Sequence, residues 1–178
     1  MTFSGEANAC GSLRAVLLVN LVQRATGKEF IFAGVHLKAG GAESAMRQRW
    51  MQYDLLAKLT HRYKAKQLVL MGDFNTTGYN IKDADYTQFS QLMTTAGLHT
   101  TSQNVGCTSY WTGGDEDGFH QSSILDHVIV ESDMKNTIQN VVVGSHCAKL
   151  DCRDATPEDL GVSYQAVSDH CPIQVTFK

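Results

Sequence analysis

An apolar run, Gln67 to Met71, reads as a short buried strand and stops at Gly72-Asp73-Phe74-Asn75. Far downstream, Ser168-Asp169-His170-Cys171-Pro172 sits at another strand boundary. Two further sites share the character: Val35-His36-Leu37 at the end of an apolar run, and Leu125-Asp126-His127 inside one. A polar group ending a buried strand sits where the sheet meets a cleft. A fold that offers Asp, Asn and His at several such ends is restricted to a sheet whose ends gather around one place. These side chains suit metal-assisted phosphoester chemistry. A phosphodiester repels an incoming oxygen nucleophile, and a divalent cation offsets that charge. Hard cations take oxygen ligands, and a tuned acid or base moves the proton.

The rest of the pattern is mixed α/β. Leu13 to Val22 and Glu29 to Leu37 flank Ala25-Thr26-Gly27-Lys28 and predict a β-hairpin. Met46, Trp50, Tyr53, Leu56, Leu59 and Tyr63 recur at three- and four-residue steps, predicting a helix over about Glu43 to Tyr63 whose stripe is core, flanked by Arg47 and Arg49. Asp83 or Asp85 caps a second helix running to about Thr95, and Gly97 stops it. Strands are predicted over Thr108 to Trp111, Ile124 to Val130, Ile138 to Val143 and Ile173 to Phe177, with a long loop from Gly144 to Gly161. Helices covering a sheet make one α/β domain over residues 1–178.

A chain of 178 residues with 43% hydrophobic and 19% charged residues can bury a sizeable core and is not of disordered composition. No apolar run approaches the roughly 18 residues of a membrane span. The net charge of -3, with no Lys/Arg run, gives no global argument for a nucleic-acid partner. A local cationic groove or a bound divalent ion can offset that charge.

Of the five cysteines, Cys171 precedes Pro172 and reads as a buried free thiol. Cys10, Cys107, Cys147 and Cys152 then form an even set with three pairings. A disulfide from Cys147 to Cys152, or to Cys107, suits an oxidising compartment, secreted or periplasmic. The alternatives are four reduced thiols, or zinc on His146, Cys147 and Cys152, which lacks a clear fourth ligand.

The four motifs, in this order and across residues 35 to 172, resemble the endonuclease/exonuclease/phosphatase superfamily, which includes pancreatic-type deoxyribonucleases, abasic-site endonucleases, inositol-polyphosphate 5-phosphatases and bacterial sphingomyelinases. The resemblance implies a two-sheet sandwich flanked by helices, in four layers α/β/β/α. It implies a metal-dependent, nuclease-like phosphodiester hydrolase using Mg2+, with Mn2+ or Ca2+ as alternatives. In its terms His36 contacts the scissile phosphate and serves as general acid, and Asp73 orients or deprotonates water. Asn75 holds phosphate and water. His170 bonds the phosphate or acts as base, with Asp126 fixing its tautomer, and Asp169 is a metal ligand. Asp73 and His170 both remain candidates for the base.

One departure stands at the N-terminus. The family's early strands, one carrying Asn and one a metal-binding Glu, have little room in the 35 residues ahead of His36. Glu6 lies in a polar segment and is not expected to replace that Glu. The expectation is the C-terminal two-thirds of the fold. The alternative function is accordingly a truncated, weakly active or inactive domain that binds a partner or needs a complementing N-terminal segment carrying that Glu. A second polypeptide, or self-association, would complete the sheet.

Other signals read blandly. His127 alternates away from the site and is structural; His61, His99 and His120 are surface histidines. Asp115-Glu116-Asp117-Gly118 is a solvated turn, not a calcium loop, and Asn75-Thr76-Thr77 is a chance sequon. Tyr110 and Trp111, close to the loop before Asp126, are expected in the core, with substrate contact as the alternative. Substrate choice would reside in loops such as Gly113 to Ser123 and Gly144 to Gly161.

Overall fold

The computed structural model describes residues 14–64, 66–112 and 117–178. Glu6 and Cys10 lie outside the described residues, as do Asp115 and Glu116 of the Asp115-Glu116-Asp117-Gly118 turn. Strands β1 (Leu17–Val22) and β2 (Glu29–His36) form the expected antiparallel hairpin. Helix α1 (Glu43–Arg62) crosses to β3 (Gln67–Asp73), which pairs parallel to β2. Asp83 caps α2 (Ala84–Thr95) by accepting from the N–H groups of Asp85 and Tyr86. Then follow β4 (Leu98–Thr100), β5 (Ser109–Trp111), β6 (Gln121–Ser123), β7 (Asp126–Glu131), β8 (Ile138–Val143), α3 (Ser145–Leu150), α4 (Pro157–Val162) and β9 (Ile173–Phe177).

The main sheet runs β1-β2-β3-β7-β4; β5–β6 and β8–β9 form two smaller antiparallel sheets. Alternation along each strand divides the main sheet's faces. Ile31, Ala33 and Val35 of β2, Leu68 and Leu70 of β3 and Ile129 of β7 meet Tyr53, Leu56 and Leu59 of α1 and Phe89 and Leu92 of α2. On the other face Phe30, Phe32, Val69, Met71, Val128 and Val130 meet Ile138 and Phe177 of the β8–β9 pair. Helices, sheet and second sheet therefore stack as an α/β sandwich.

Several expectations change. The stretch from Gly144 to Gly161 is not all loop, since it carries α3 and α4. Thr156 caps α4 through a reciprocal bond pattern with Asp159, and Pro157 opens the helix with its φ already set. Arg49 does not flank the α1 stripe. It is fully buried, because Asp85 meets it at 2.9 Å. Cys171 is not a free thiol. Cys147 bonds Cys171 and Cys107 bonds Cys152, inside a separate small core with Tyr110, Ala155 and Leu160. Those pairings also exclude the zinc site on His146, Cys147 and Cys152. The loop ahead of β9 folds against α3, and that approach brings Cys171 to Cys147. Of the histidines expected at the surface, His61 is exposed, but His99 and His120 are half-buried, and His120 Nδ1 lies 2.7 Å from the Tyr164 hydroxyl. Trp111 is 48% exposed, against the expectation of core packing.

Candidate active site

Strands β2 and β3 run parallel, so their last residues finish side by side. Strand β7 runs antiparallel to β3, so its first residue joins them. The register pairs His36 with Asp73 and Asp73 with Asp126. Cross-strand partners point the same way. Here they follow Phe32, Met71 and Val128 onto the face opposite the helices. Gly72 permits the close approach, with φ +126° and a backbone that leaves a Cβ only 2.2 Å from the Val35 carbonyl oxygen.

Past the end of β3, Asn75 turns back with φ 51°, a left-handed conformation that asparagine tolerates. Its backbone N–H donates to Asp73 Oδ1 at 2.8 Å. Its Nδ2 donates to Asp73 Oδ2 at 2.9 Å and to the Leu37 carbonyl at 3.1 Å. His170 comes from the loop before β9. Its Nδ1 lies 2.7 Å from Asp126 Oδ2. A carboxylate only accepts, so Nδ1 carries the proton and Nε2 turns into the cleft. That Nε2 lies 4.0 Å from Asp73 Oδ2, and His36 Nε2 lies 3.5 Å from the same oxygen. Two imidazoles and a carboxamide thus face one carboxylate oxygen.

The hydrogen bond to Asp126 is the largest influence on His170 and raises its pKa to about 9, against an opposing effect of burial. Burial first, and then the Asp126 charge, push the Asp73 carboxyl above the ordinary carboxylate range.

His36, Asp73, Asn75, Asp126 and His170 are brought together. Asp169 sits one residue earlier, exposed, with its carboxylate acting on His170 by charge. Its backbone carbonyl accepts from the Tyr110 N–H at 3.0 Å, and Cys171 N–H donates to the Thr108 carbonyl at 2.8 Å. These bonds hold the loop against β5. The donors near the cleft are carboxylate and amide oxygens, a set that suits a hard divalent cation.

Sequence reasoning missed the supports. Arg49 Nη1 donates to the carbonyls of Lys38 (2.6 Å) and Gly40 (3.1 Å), and Nη2 donates to Thr77 Oγ1 at 3.1 Å. One buried guanidinium therefore fixes the chain after both His36 and Asn75. Thr108 Oγ1 accepts the N–H groups of Leu125 and Asp126. Thr76 Oγ1 donates to the Ile124 carbonyl at 2.7 Å and lies 2.8 Å from His127 Nε2. An arginine beside an apolar stripe and a second Asp next to the helix cap were the only sequence signals for the first of these.

No family model matches the chain, and no curated protein matches it. Solved structures do. This is the fold of the endonuclease/exonuclease/phosphatase proteins: the chain matches one of that description from Beutenbergia cavernae with a TM-score of 0.60 at 16% identity, covering 90% of this chain and 38% of that one. It is similar to the endonuclease domain of TRAS1, a telomere-specific non-LTR retrotransposon (TM-score 0.58, 19% identity, 92% of this chain, 63% of that one). It is also similar to D. rerio TDP2 complexed with a single-strand DNA product (TM-score 0.59, 18% identity, 92% and 61%). The chain spans less than two thirds of the length of each of these structures.

Proposed function

We propose that the chain is a metal-dependent phosphodiester hydrolase acting on nucleic acid. The row His36, Asp73 and Asp126 on three adjacent strands, with His170 locked to Asp126 at 2.7 Å, carries this reading. Asp73, held by Asn75, orients the attacking water and takes its proton. His170 Nε2 donates to a phosphate oxygen, while both Asn75 amide hydrogens stay on Asp73 Oδ2 and the Leu37 carbonyl. As the new P–O bond forms, the bond to the leaving oxygen breaks opposite it, and His36, exposed enough to exchange with solvent, supplies the proton to that oxygen. Mg2+, Mn2+ or Ca2+ held by Asp169 would add charge neutralisation of the phosphate. Nucleic acid is favoured as substrate because a structural neighbour is described as holding a DNA product. Two disulfides favour an oxidising setting, secreted or periplasmic.

The test is hydrolysis of a fluorescent oligonucleotide and of bis(p-nitrophenyl) phosphate by the full chain. Asp73→Asn and His170→Ala should each lower kcat by at least ~100-fold, and a chelator should abolish turnover. Unimpaired hydrolysis in chelator would refute the metal-dependent route.

A second reading rests on the outer face of β1. Leu17, Val19 and Leu21 lie on the face of Phe30 and Phe32, yet they are 68%, 41% and 48% exposed. The β8–β9 pair covers the β3 and β7 end of that face and leaves a cavity of about 560 Å3 at the β1 end. An additional strand-forming segment, from another polypeptide or a second copy, would complete the second sheet there.

A further inference from the structure

A cluster that the phosphodiester chemistry does not use lies behind the His170 loop. His146 on α3 is 1% exposed, Cys147 is fully buried and Cys171 is 4% exposed. One ring nitrogen of His146 and the two sulfurs all lie within 4.8 Å of one another. The His146 ring is oriented from behind: Nδ1 sits 3.2 Å from Ser163 Oγ and 3.3 Å from Ser145 Oγ. Its other nitrogen, Nε2, is buried without a hydrogen bond. The Asp169 backbone lies close enough to favour the protonated ring, but no contact to Nε2 reaches hydrogen-bond geometry. A buried polar atom without a partner is costly and uncommon. A histidine with one nitrogen held by hydroxyls and the other without a hydrogen bond has the disposition of a metal ligand. The Cys147 N–H also donates to Cys171 Sγ at 3.2 Å, a bond that would stabilise negative charge on that sulfur.

We propose that reduction of the Cys147–Cys171 disulfide converts this corner into a binding site for a thiophilic divalent cation of the zinc class, held by Cys147 Sγ, Cys171 Sγ and His146 Nε2. The reductant is a dithiol or a pair of thiols. Its two SH groups deliver two electrons and two protons, the S–S bond breaks, each sulfur takes a proton, and the reductant leaves as its own disulfide. On binding, the cation displaces both protons to solvent. Two thiolates and one imidazole suit zinc or cobalt over magnesium. Tetrahedral coordination at about 2.0–2.3 Å spaces ligand atoms roughly 3.3–3.8 Å apart, within reach of side-chain rotation from the present positions. The fourth position stays open to water. Because Cys171 directly follows His170, the cation would take over the disulfide's role of tying the His170 loop to α3. The site stands or falls independently of the hydrolase reading.

The experiment is cobalt(II) titration of the full chain in a Cys10→Ser background, which removes the cysteine outside the described residues. Oxidised protein should show no thiolate-to-cobalt charge-transfer band. Protein reduced with a phosphine and desalted should gain the band at one equivalent, and added zinc should displace it. The band should be lost in Cys171→Ser and in His146→Ala, and retained in Cys107→Ser/Cys152→Ser. Absence of the band in reduced protein would overturn the proposal, whether or not far-UV dichroism shows the fold retained. So would a band that survives His146→Ala. A band that needs Cys107 and Cys152 but not Cys171 would also overturn it.

Discussion

His127 shows how one residue can support a site without entering it. It follows Asp126 on β7 and so points to the helix face, where it is fully buried against Phe74, Tyr79 and Phe89. Its ring joins Thr76, next to Asn75, to Thr100 on the neighbouring strand β4. Thr76 already donates to Ile124, so His127 Nε2 must donate to Thr76, and Nδ1 accepts from Thr100. Burial depresses its pKa to about 3. The sign follows from linkage: below about 6.5 the unfolded chain binds a proton that the folded chain refuses. Stability tied to His127 is therefore complete above 6.5 and falls by roughly 1.4 kcal/mol per pH unit as pH drops toward 3. His170, raised to about 9, does the opposite: its contribution is complete below 6.5 and is lost between 6.5 and 9. Denaturant midpoints measured from pH 7 to pH 4 should fall less steeply for His127→Gln than for the parent. Equal slopes would show that His127 is charged in the fold or exposed to water. The position of this histidine away from the cleft was legible from strand alternation alone. Its two threonine partners were not, because they come from separate loops and strands with no periodic signal.

Among the elements, the parallel β2–β3 pair does most to assemble the site. It requires Gly72, whose φ of +126° and contact with the Val35 carbonyl exclude a side chain. Gly97 also has a left-handed φ of +65° but opens on free space. Gly72→Ala should destabilise the fold by at least about 3 kcal/mol from strain and overpacking combined. Gly97→Ala should cost only about 1–2 kcal/mol. Urea midpoints compare the two, and equal losses would contradict the close-approach argument. The long elements were readable because periodicity repeats in them. Helix α1 ends within a residue of the expectation, and β8 coincides with it. The short ones carry no period. Strands β4 and β6 are three residues each and exist through pairing with β7 and β5. Helices α3 and α4 are one to two turns; α4 is fixed by its Thr156 cap, and both pack on the cysteine core. The residues of the cleft were found as strand-end motifs. Their support by Arg49 and Asp85 was hidden because a buried ion pair looks, in sequence, like two surface charges.

At the scale of the whole molecule, the sandwich is covered unevenly. α1 and α2 cover one face of the main sheet, whereas the β1 end of the other face shows leucine and valine to solvent. Among the described residues this apolar face would suit an interaction surface. Sedimentation of the full chain should show concentration-dependent self-association, and Leu17→Lys/Leu21→Lys should abolish it without loss of helical dichroism. A parent chain that stays monomeric at high concentration would show that a second copy does not cover this face.

The two disulfides interleave. Cys107 reaches forward past Cys147 to Cys152, while Cys147 reaches past Cys152 to Cys171. A nascent chain emerging from the N-terminus thus presents Cys107, Cys147 and Cys152 to an oxidant before Cys171 exists. Only the bond from Cys107 to Cys152 is correct at that moment, and the partners nearest along the chain, Cys147 and Cys152, are a wrong pair. Maturation therefore depends on holding Cys147 back or on reshuffling it later by thiol exchange. Reduced, denatured chain reoxidised by air alone should give scrambled isomers, whereas a glutathione redox buffer should recover the native pair, as peptide mapping would show. The order of the cysteines makes production of this protein a question of timing and of catalysed exchange in the compartment where it folds.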